Sequence, residues 1–141
     1  MGPDSCWLQC ASAAFVRRWP PMSLRVLIVD DSPVFLEAAG RLLEREGLSV
    51  VGAASTSAMA IDATERLRPD VVLVDIMLGR ESGIDLARRL VEGSVGGAPA
   101  IVILISTESE DDFSELIEAS PASGFVHKSE LSAAAILRLL S

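Results

Sequence analysis

The 141-residue sequence has no tyrosine, only four phenylalanines and two tryptophans, so its core has to be built from aliphatic side chains. Half of the residues are apolar (50%), and a chain of this length can bury one substantial core. Positive charge is also scarce. The net charge is −8, which argues against a nucleic-acid surface, because that needs a clustered basic face. Residues 1–22 hold one acid (Asp4) and two bases (Arg17, Arg18), a balance of +1 that leaves −9 for the remainder. Lys128 is the only lysine and His127 the only histidine. Both cysteines, Cys6 and Cys10, lie in the first ten residues, too few and too isolated for a metal site or a disulfide framework. Long apolar runs are missing too. Leu8–Val16 is too short to span a bilayer, and its basic residues follow it, where a secretory signal has them in front. The expectation is a cytoplasmic protein without membrane contact. Residues 1–22 form an N-terminal extension expected to be poorly ordered, and 23–141 form the domain. Pro20-Pro21 separates the two, and Met22 could itself be a start.

From Leu24 onward the pattern is regular. Three apolar runs stand out: Val26–Val29, Val71–Val74 and Ile101–Ile105. Each is short, rich in β-branched residues and free of polar alternation, as strands covered on both faces should be. Weaker strands fit at Ser49–Ala54 and Gly124–Val126. Helical segments fall between them. Pro33–Glu46 places Phe35, Ala39, Leu42 and Leu43 on one face, begins with Ser32-Pro33 as cap and first residue, and stops at Gly47. Ala58–Arg68 ends before Pro69, and Gly83–Glu92 runs to Gly93. Ser109 and Asp112 have capping-box spacing for a helix through Ala119, and Ser129 can cap a last helix, Glu130–Leu140. Five βα repeats imply an α/β fold, a parallel five-stranded sheet with helices on both faces. In such sheets the working site lies at the carboxyl ends of the strands.

Those ends carry Asp30-Asp31, Asp75, Ser106-Thr107 and Lys128. Three carboxylates brought within a few ångströms repel one another, and a hard divalent cation such as Mg²⁺ removes the repulsion. The same cation would draw in a phosphoryl group. Lys128 offers a fixed positive charge and Ser106 a hydroxyl donor. A carboxylate can accept a phosphoryl group as an acyl phosphate. Any one of these features alone reads more simply as a turn or a helix cap. Four strands each ending in a suitable group shift the balance, and Asp75 interrupts apolar neighbours, a costly place for a charge without partners.

The chain resembles the receiver domain of two-component response regulators, the CheY-like fold, over residues 24–140. The resemblance rests on Val26-Leu27-Ile28-Val29-Asp30-Asp31-Ser32, Pro69-Asp70-Val71-Val72-Leu73-Val74-Asp75, Gly83 eight residues later, Ile105-Ser106, and Gly124-Phe125-Val126-His127-Lys128. It implies a doubly wound sheet of strand order 2-1-3-4-5, with Asp75 phosphorylated by a histidine kinase or phosphotransfer protein. Asp30 and Asp31 would hold Mg²⁺ together with Asp75 and the backbone carbonyl of Met77. Ser106 would bind the phosphoryl group, Phe125 would be the coupled aromatic switch, and Lys128 would pair with the phosphate. Four positions depart from the family's habit: Gly79 stands where proline is favoured, Thr107 where a small residue is usual, Phe125 in place of tyrosine, and Ser129 in place of proline. Gly79 suggests a looser loop after Asp75. His127 is expected to face away from the site, because alternation along the strand opposes it to Lys128.

The function expected is a switch rather than an enzyme, acting catalytically only on its own phosphorylation and dephosphorylation. Output would pass to a protein target through the fourth helix, fifth strand and fifth helix, with a phosphorylation-dependent homodimer also allowed and no direct contact with nucleic acid. Ending at Ser141, the chain reads as a stand-alone regulator or as the receiver part of a truncated one. An aspartate-nucleophile phosphatase would need a second Asp two residues after the first, where Ser32 stands. A flavin-binding relative would need a phosphate loop that Asp30-Asp31 would repel. A pseudo-receiver that only binds partners is disfavoured by the intact acids and Lys128.

Overall fold

A computed structural model of the chain describes residues 24–93 and 101–140. Expectations about the N-terminal extension lie outside these residues. The sheet strands are β1 (Arg25–Val29), β2 (Ser49–Ala54), β3 (Val71–Asp75), β4 (Ile101–Ser106) and β5 (Gly124–His127). The helices are α1 (Pro33–Arg45), α2 (Ser57–Leu67), α3 (Gly83–Glu92), α4 (Ser114–Glu118) and α5 (Ala133–Leu140). All strand pairs in the sheet are parallel, in the order β2-β1-β3-β4-β5. This is the doubly wound α/β arrangement expected.

The apolar runs divide strictly by alternation, since successive side chains of a strand point to opposite faces. Leu27, Val29, Val72, Val74, Val102 and Leu104 pack with Ala60 and Ala63 of α2 and with Ile84, Ala87 and Leu90 of α3. Val26, Ile28, Leu73, Ile103, Ile105 and Val126 pack on the other face with Ala39 and Leu43 of α1 and Ala135 and Ile136 of α5. Both faces are therefore covered, which is why the central strands show no polar alternation.

Helix starts follow local chemistry at three places. Ser32 Oγ accepts from Phe35 N–H at 3.3 Å, and Pro33 opens α1 with the fixed backbone angle it prefers. Thr56 caps α2 through Met59 N–H, and Ser82 caps α3 through Asp85 N–H. The last two helices differ from expectation. Ser109 Oγ accepts from Asp111 N–H rather than from Asp112, whose N–H goes to the Ser109 carbonyl. That bond spans three residues, so Glu110–Phe113 closes as a tight 3₁₀ turn, and α4 begins afresh at Ser114. Ser129 does not cap the final helix. Lys128–Glu130 forms another 3₁₀ turn, Leu131 is extended and buried in the core, and Ser132 Oγ caps α5 through Ala135 N–H at 3.0 Å.

The loop after β3 is more organised than the missing proline suggested. Met77–Leu78 pairs antiparallel with Glu81–Ser82 around Gly79, whose φ of +61° is left-handed. Glu81 Oε1 accepts from Ser57 N–H at 2.8 Å, which ties this hairpin to the start of α2. Gly83 then passes so close to β3 that an added Cβ would lie 1.8 Å from the Asp75 carbonyl oxygen. Gly83 N–H donates to the Ile76 carbonyl at 2.7 Å, so no side chain fits between helix and strand end.

Two glycine substitutions should therefore behave oppositely. Gly83→Ala should lower stability in urea by about 1–3 kcal/mol through overpacking. At Gly40, in the middle of α1, an added Cβ meets nothing within 4 Å. Gly40→Ala should raise stability by about 0.5–1 kcal/mol through helix propensity. Urea unfolding of the two variants beside the parent checks both signs.

Candidate functional site

The carboxyl ends of β1, β3, β4 and β5 lie side by side, because parallel pairing places Val29 against Val74, Asp75 against Ile105, and Ser106 against His127. Asp30 follows β1 and is fully buried. Its N–H donates to the Ala54 carbonyl, and its Oδ1 accepts from Ser32 N–H at 2.8 Å. Asp75 is the last residue of β3, 6% exposed, and its Oδ1 accepts from Met77 N–H at 3.1 Å. Asp31 is exposed at the mouth. Lys128, just after β5, reaches back across the strand ends. Its Nζ lies 2.5 Å from Asp30 Oδ2 and 3.3 Å from Asp75 Oδ2. Four of the expected site residues thus converge.

The other expected residues have partners of their own. Ser106 ends β4, is buried, and accepts from Glu108 N–H at 2.9 Å. Its oxygen is an acceptor there, and its own proton can still be donated. Met77 contributes its N–H to Asp75 while its side chain is exposed. Phe125 does not touch the acidic centre. It packs, as Phe113, Ile117 and Ala122 also do, against the core cluster on the α2–α3 face of the sheet, and it lines a cavity of about 380 Å³ with Ser109, Glu110 and His127. His127 lies away from the acids, as alternation suggests. Its Nε2 donates to the Thr107 carbonyl at 2.7 Å, and its Nδ1 accepts from Ser129 N–H at 3.1 Å. A carbonyl can only accept, so this pattern assigns the proton to Nε2.

Burial raises the Asp75 carboxyl above its ordinary value of 3.8. The Lys128 charge and the Met77 N–H oppose that rise in part, and the nearby Asp30 charge adds to it. Burial alone would lower Lys128, but its contact with Asp30 and the negative charges of Asp75 and Asp30 outweigh this and raise it. One ammonium thus pairs with two carboxylates. Asp30, Asp31 and Asp75 each offer an oxygen within 4.8 Å of the others. Asp30 Oδ2 is buried and accepts no hydrogen bond, since Lys128 approaches it as an ion pair outside hydrogen-bonding geometry. A buried carboxylate oxygen left in this way, in an all-oxygen cluster with surplus negative charge, fits a hard divalent cation.

Comparison with known proteins identifies the family. The family model of the response regulator receiver domain matches residues 26–139. The chain belongs to the response regulator receiver family. It is 38% identical over 92 residues to the DNA-binding response regulator MtrA of Mycolicibacterium smegmatis, which covers 64% of this chain and 38% of that protein. It is 34% identical over 91 residues to a protein-glutamate methylesterase/protein-glutamine glutaminase of Shewanella sp. (strain MR-7), covering 64% of this chain and 25% of that one. The receiver domain therefore matches well under half the length of these curated relatives. Among solved structures, a two-component response regulator of the LuxR family from Aurantimonas sp. superposes with a TM-score of 0.67 at 29% identity, covering 81% of this chain and 79% of that one. The response regulator domain of Thermotoga maritima CheB gives 0.67 at 26% identity, with 82% and 91% coverage.

Sequence reasoning missed two contributors to the receiver's site. Glu81 pins the loop that carries Met77, and Phe35 places its ring 4.4 Å from Lys128 Nζ. Neither contact has a local signal, because the partners lie far apart in the chain.

A carboxyl raised on folding keeps a proton that the unfolded chain has released. Its stabilising contribution is therefore complete below the ordinary carboxylate value and disappears as pH rises through the higher folded value. Asp75→Asn removes this penalty. In metal-free buffer it should melt a few degrees above the parent at neutral pH, with the gap closing as pH falls through the raised folded value and gone below about 4. Thermal melts of both proteins across that range check the sign.

Proposed function

We propose that the chain is a phosphoacceptor receiver module, phosphorylated on Asp75 by a sensor histidine kinase or phosphotransfer protein in a Mg²⁺-dependent reaction. The observation that carries this reading is the cluster of Asp30, Asp31 and Asp75 at the strand ends, with Lys128 paired to Asp30 and Asp75. Residues 23–141 would act as the switching unit, with 1–22 as an extension dispensable for it.

Asp30, Asp31, Asp75 and the backbone carbonyl of Met77 would hold the metal ion. When bound, Mg²⁺ supplies positive charge to the carboxylate cluster and to the phosphoryl oxygens. A carboxylate oxygen of Asp75 attacks phosphorus in line with the leaving nitrogen of the donor's phosphohistidine. The P–O bond forms as the P–N bond breaks, and the electron pair returns to the donor imidazole. Lys128, already 3.3 Å from Asp75, stays against the transferred group and offsets its charge. The Ser106 hydroxyl donates to a phosphoryl oxygen.

The new group carries roughly two negative charges. Drawing Ser106 toward it breaks the Glu108 N–H bond to Ser106 Oγ and shifts residues 107–109. The His127–Thr107 bond links that segment to β5, and Phe125 lies beside it on the same strand. Displacement at Ser106 would thereby reshape the face formed by α4, β5 and α5, where a downstream protein would bind. A phosphorylation-dependent homodimer through the same face fits the scheme. The reaction stays on the chain itself, so the module is a switch and not an enzyme with an external substrate. The net charge of −8 opposes direct binding of nucleic acid. No helix among the described residues is long and apolar enough to cross a membrane. A cytoplasmic location follows from a kinase donor that works there, whether the module acts alone or within a longer regulator.

Intact-mass measurement after incubation with acetyl phosphate and Mg²⁺ tests the assignment. The parent should gain one phosphate, while Asp75→Asn should remain folded and gain none. A persistent adduct on the variant, or none on the parent with either acetyl phosphate or a kinase donor, contradicts it.

A further inference from the structure

Lys128 does its work in a nearly closed place, with its side chain only 14% exposed. An ammonium there has given up most of its water and needs partners on every side. Asp30 and Asp75 supply two of them. The Phe35 ring supplies another surface, with Nζ positioned over it 4.4 Å from the centroid. The face of an aromatic ring carries partial negative charge and attracts a cation without competing for its protons.

The placement of that ring is tied to the acids themselves. Asp30 Oδ1 accepts from Ser32 N–H at 2.8 Å, and Ser32 Oγ accepts from Phe35 N–H at 3.3 Å. Phe35 then faces Lys128, and Lys128 returns to Asp30 Oδ2. The four residues close a ring of contacts, so the cap of α1 and the acidic centre are one unit. Phe35 also packs against the core cluster that holds Ala39 and Leu43 of α1 and Ala135 and Ile136 of α5.

We propose that Phe35 is a positioning residue, its ring seating the Lys128 ammonium against the Asp30 and Asp75 carboxylates. Phosphoryl transfer then meets a lysine that is already placed and does not have to be drawn from water. This deepens the reading of Asp75 as phosphoacceptor and rests on it for the kinetic part of the test alone.

Lys128 is the only lysine, so ¹³C-lysine labelling reports one side chain. Protons above an aromatic face are shifted upfield, so the ε-methylene of Lys128 should be upfield of an ordinary lysine in the parent and in Phe35→Tyr. In Phe35→Leu it should return to the ordinary position. With acetyl phosphate and Mg²⁺, Phe35→Leu should be phosphorylated about threefold to tenfold more slowly, with Phe35→Tyr close to the parent. In a Lys128→Met background, Phe35→Leu should slow the reaction no further. An ordinary ε-methylene shift in the parent overturns the proposal whatever the variants do. So does an equal slowing by Phe35→Leu in the Lys128→Met background, which would mark the ring as structural only. If the parent takes up no phosphate at all, the phosphoacceptor reading fails instead, and the ε-methylene shift still decides the place of Phe35.

Discussion

Two carboxylates at the ends of adjacent strands, Asp30 and Asp75, are held out of water with one ammonium between them. Asp30 is fully buried and Asp75 nearly so. A buried charge without a partner costs several kcal/mol. Lys128 provides the partner by crossing from β5 over both strand ends. One ammonium cannot balance three carboxylates, and the surplus negative charge is of the kind that suits a hard divalent cation.

Much of the surrounding structure serves to hold that arrangement. The doubly covered sheet fixes the spacing of the strand ends. Gly83 lets α3 press against the Asp75 carbonyl, and Glu81 ties the following hairpin to α2. Ser32 uses its N–H on Asp30 and its hydroxyl on α1, so the helix that covers the site begins from the site itself. Charge, loop and helix are coupled, and a change at one has a short path to the others. The same economy extends outward. Ser106 and His127 are neighbours across β4 and β5, and each holds part of the segment between Ser106 and Ser109.

A large part of this was legible in the sequence for a physical reason. Strands buried on both faces must be continuously apolar, so Val71–Val74 and Ile101–Ile105 announce themselves, and a charged residue ending such a run needs a purpose. Asp30 and Asp75 are legible in that way, and Lys128 as the only lysine, just after the weaker last strand. The α1 boundaries were legible because Ser32, Pro33 and Gly47 act through bonds and angles local to the chain. The beginnings of α4 and α5 were not. Ser109 and Ser129 have the chemistry of caps, but Ser129 is taken by His127 and Leu131 is drawn into the core, which leaves Ser132 to start the helix. Tertiary contacts decided there between equally good local choices. Phe35 was legible only as a core-facing residue, because nothing near it in sequence indicates a cation 93 positions away.

The most direct test is to remove the ammonium and ask whether a metal ion can replace its charge. Lys128→Met keeps the apolar stem but leaves Asp30 and Asp75 buried without a counter-charge. Urea unfolding in metal-free buffer should show a loss of about 3–5 kcal/mol. Millimolar Mg²⁺ should restore a large part of it, and should restore little when Asp75 is also changed to Asn. A Lys128→Met protein as stable as the parent, or one indifferent to Mg²⁺, would contradict the view that charge balance at these two strand ends organises the site.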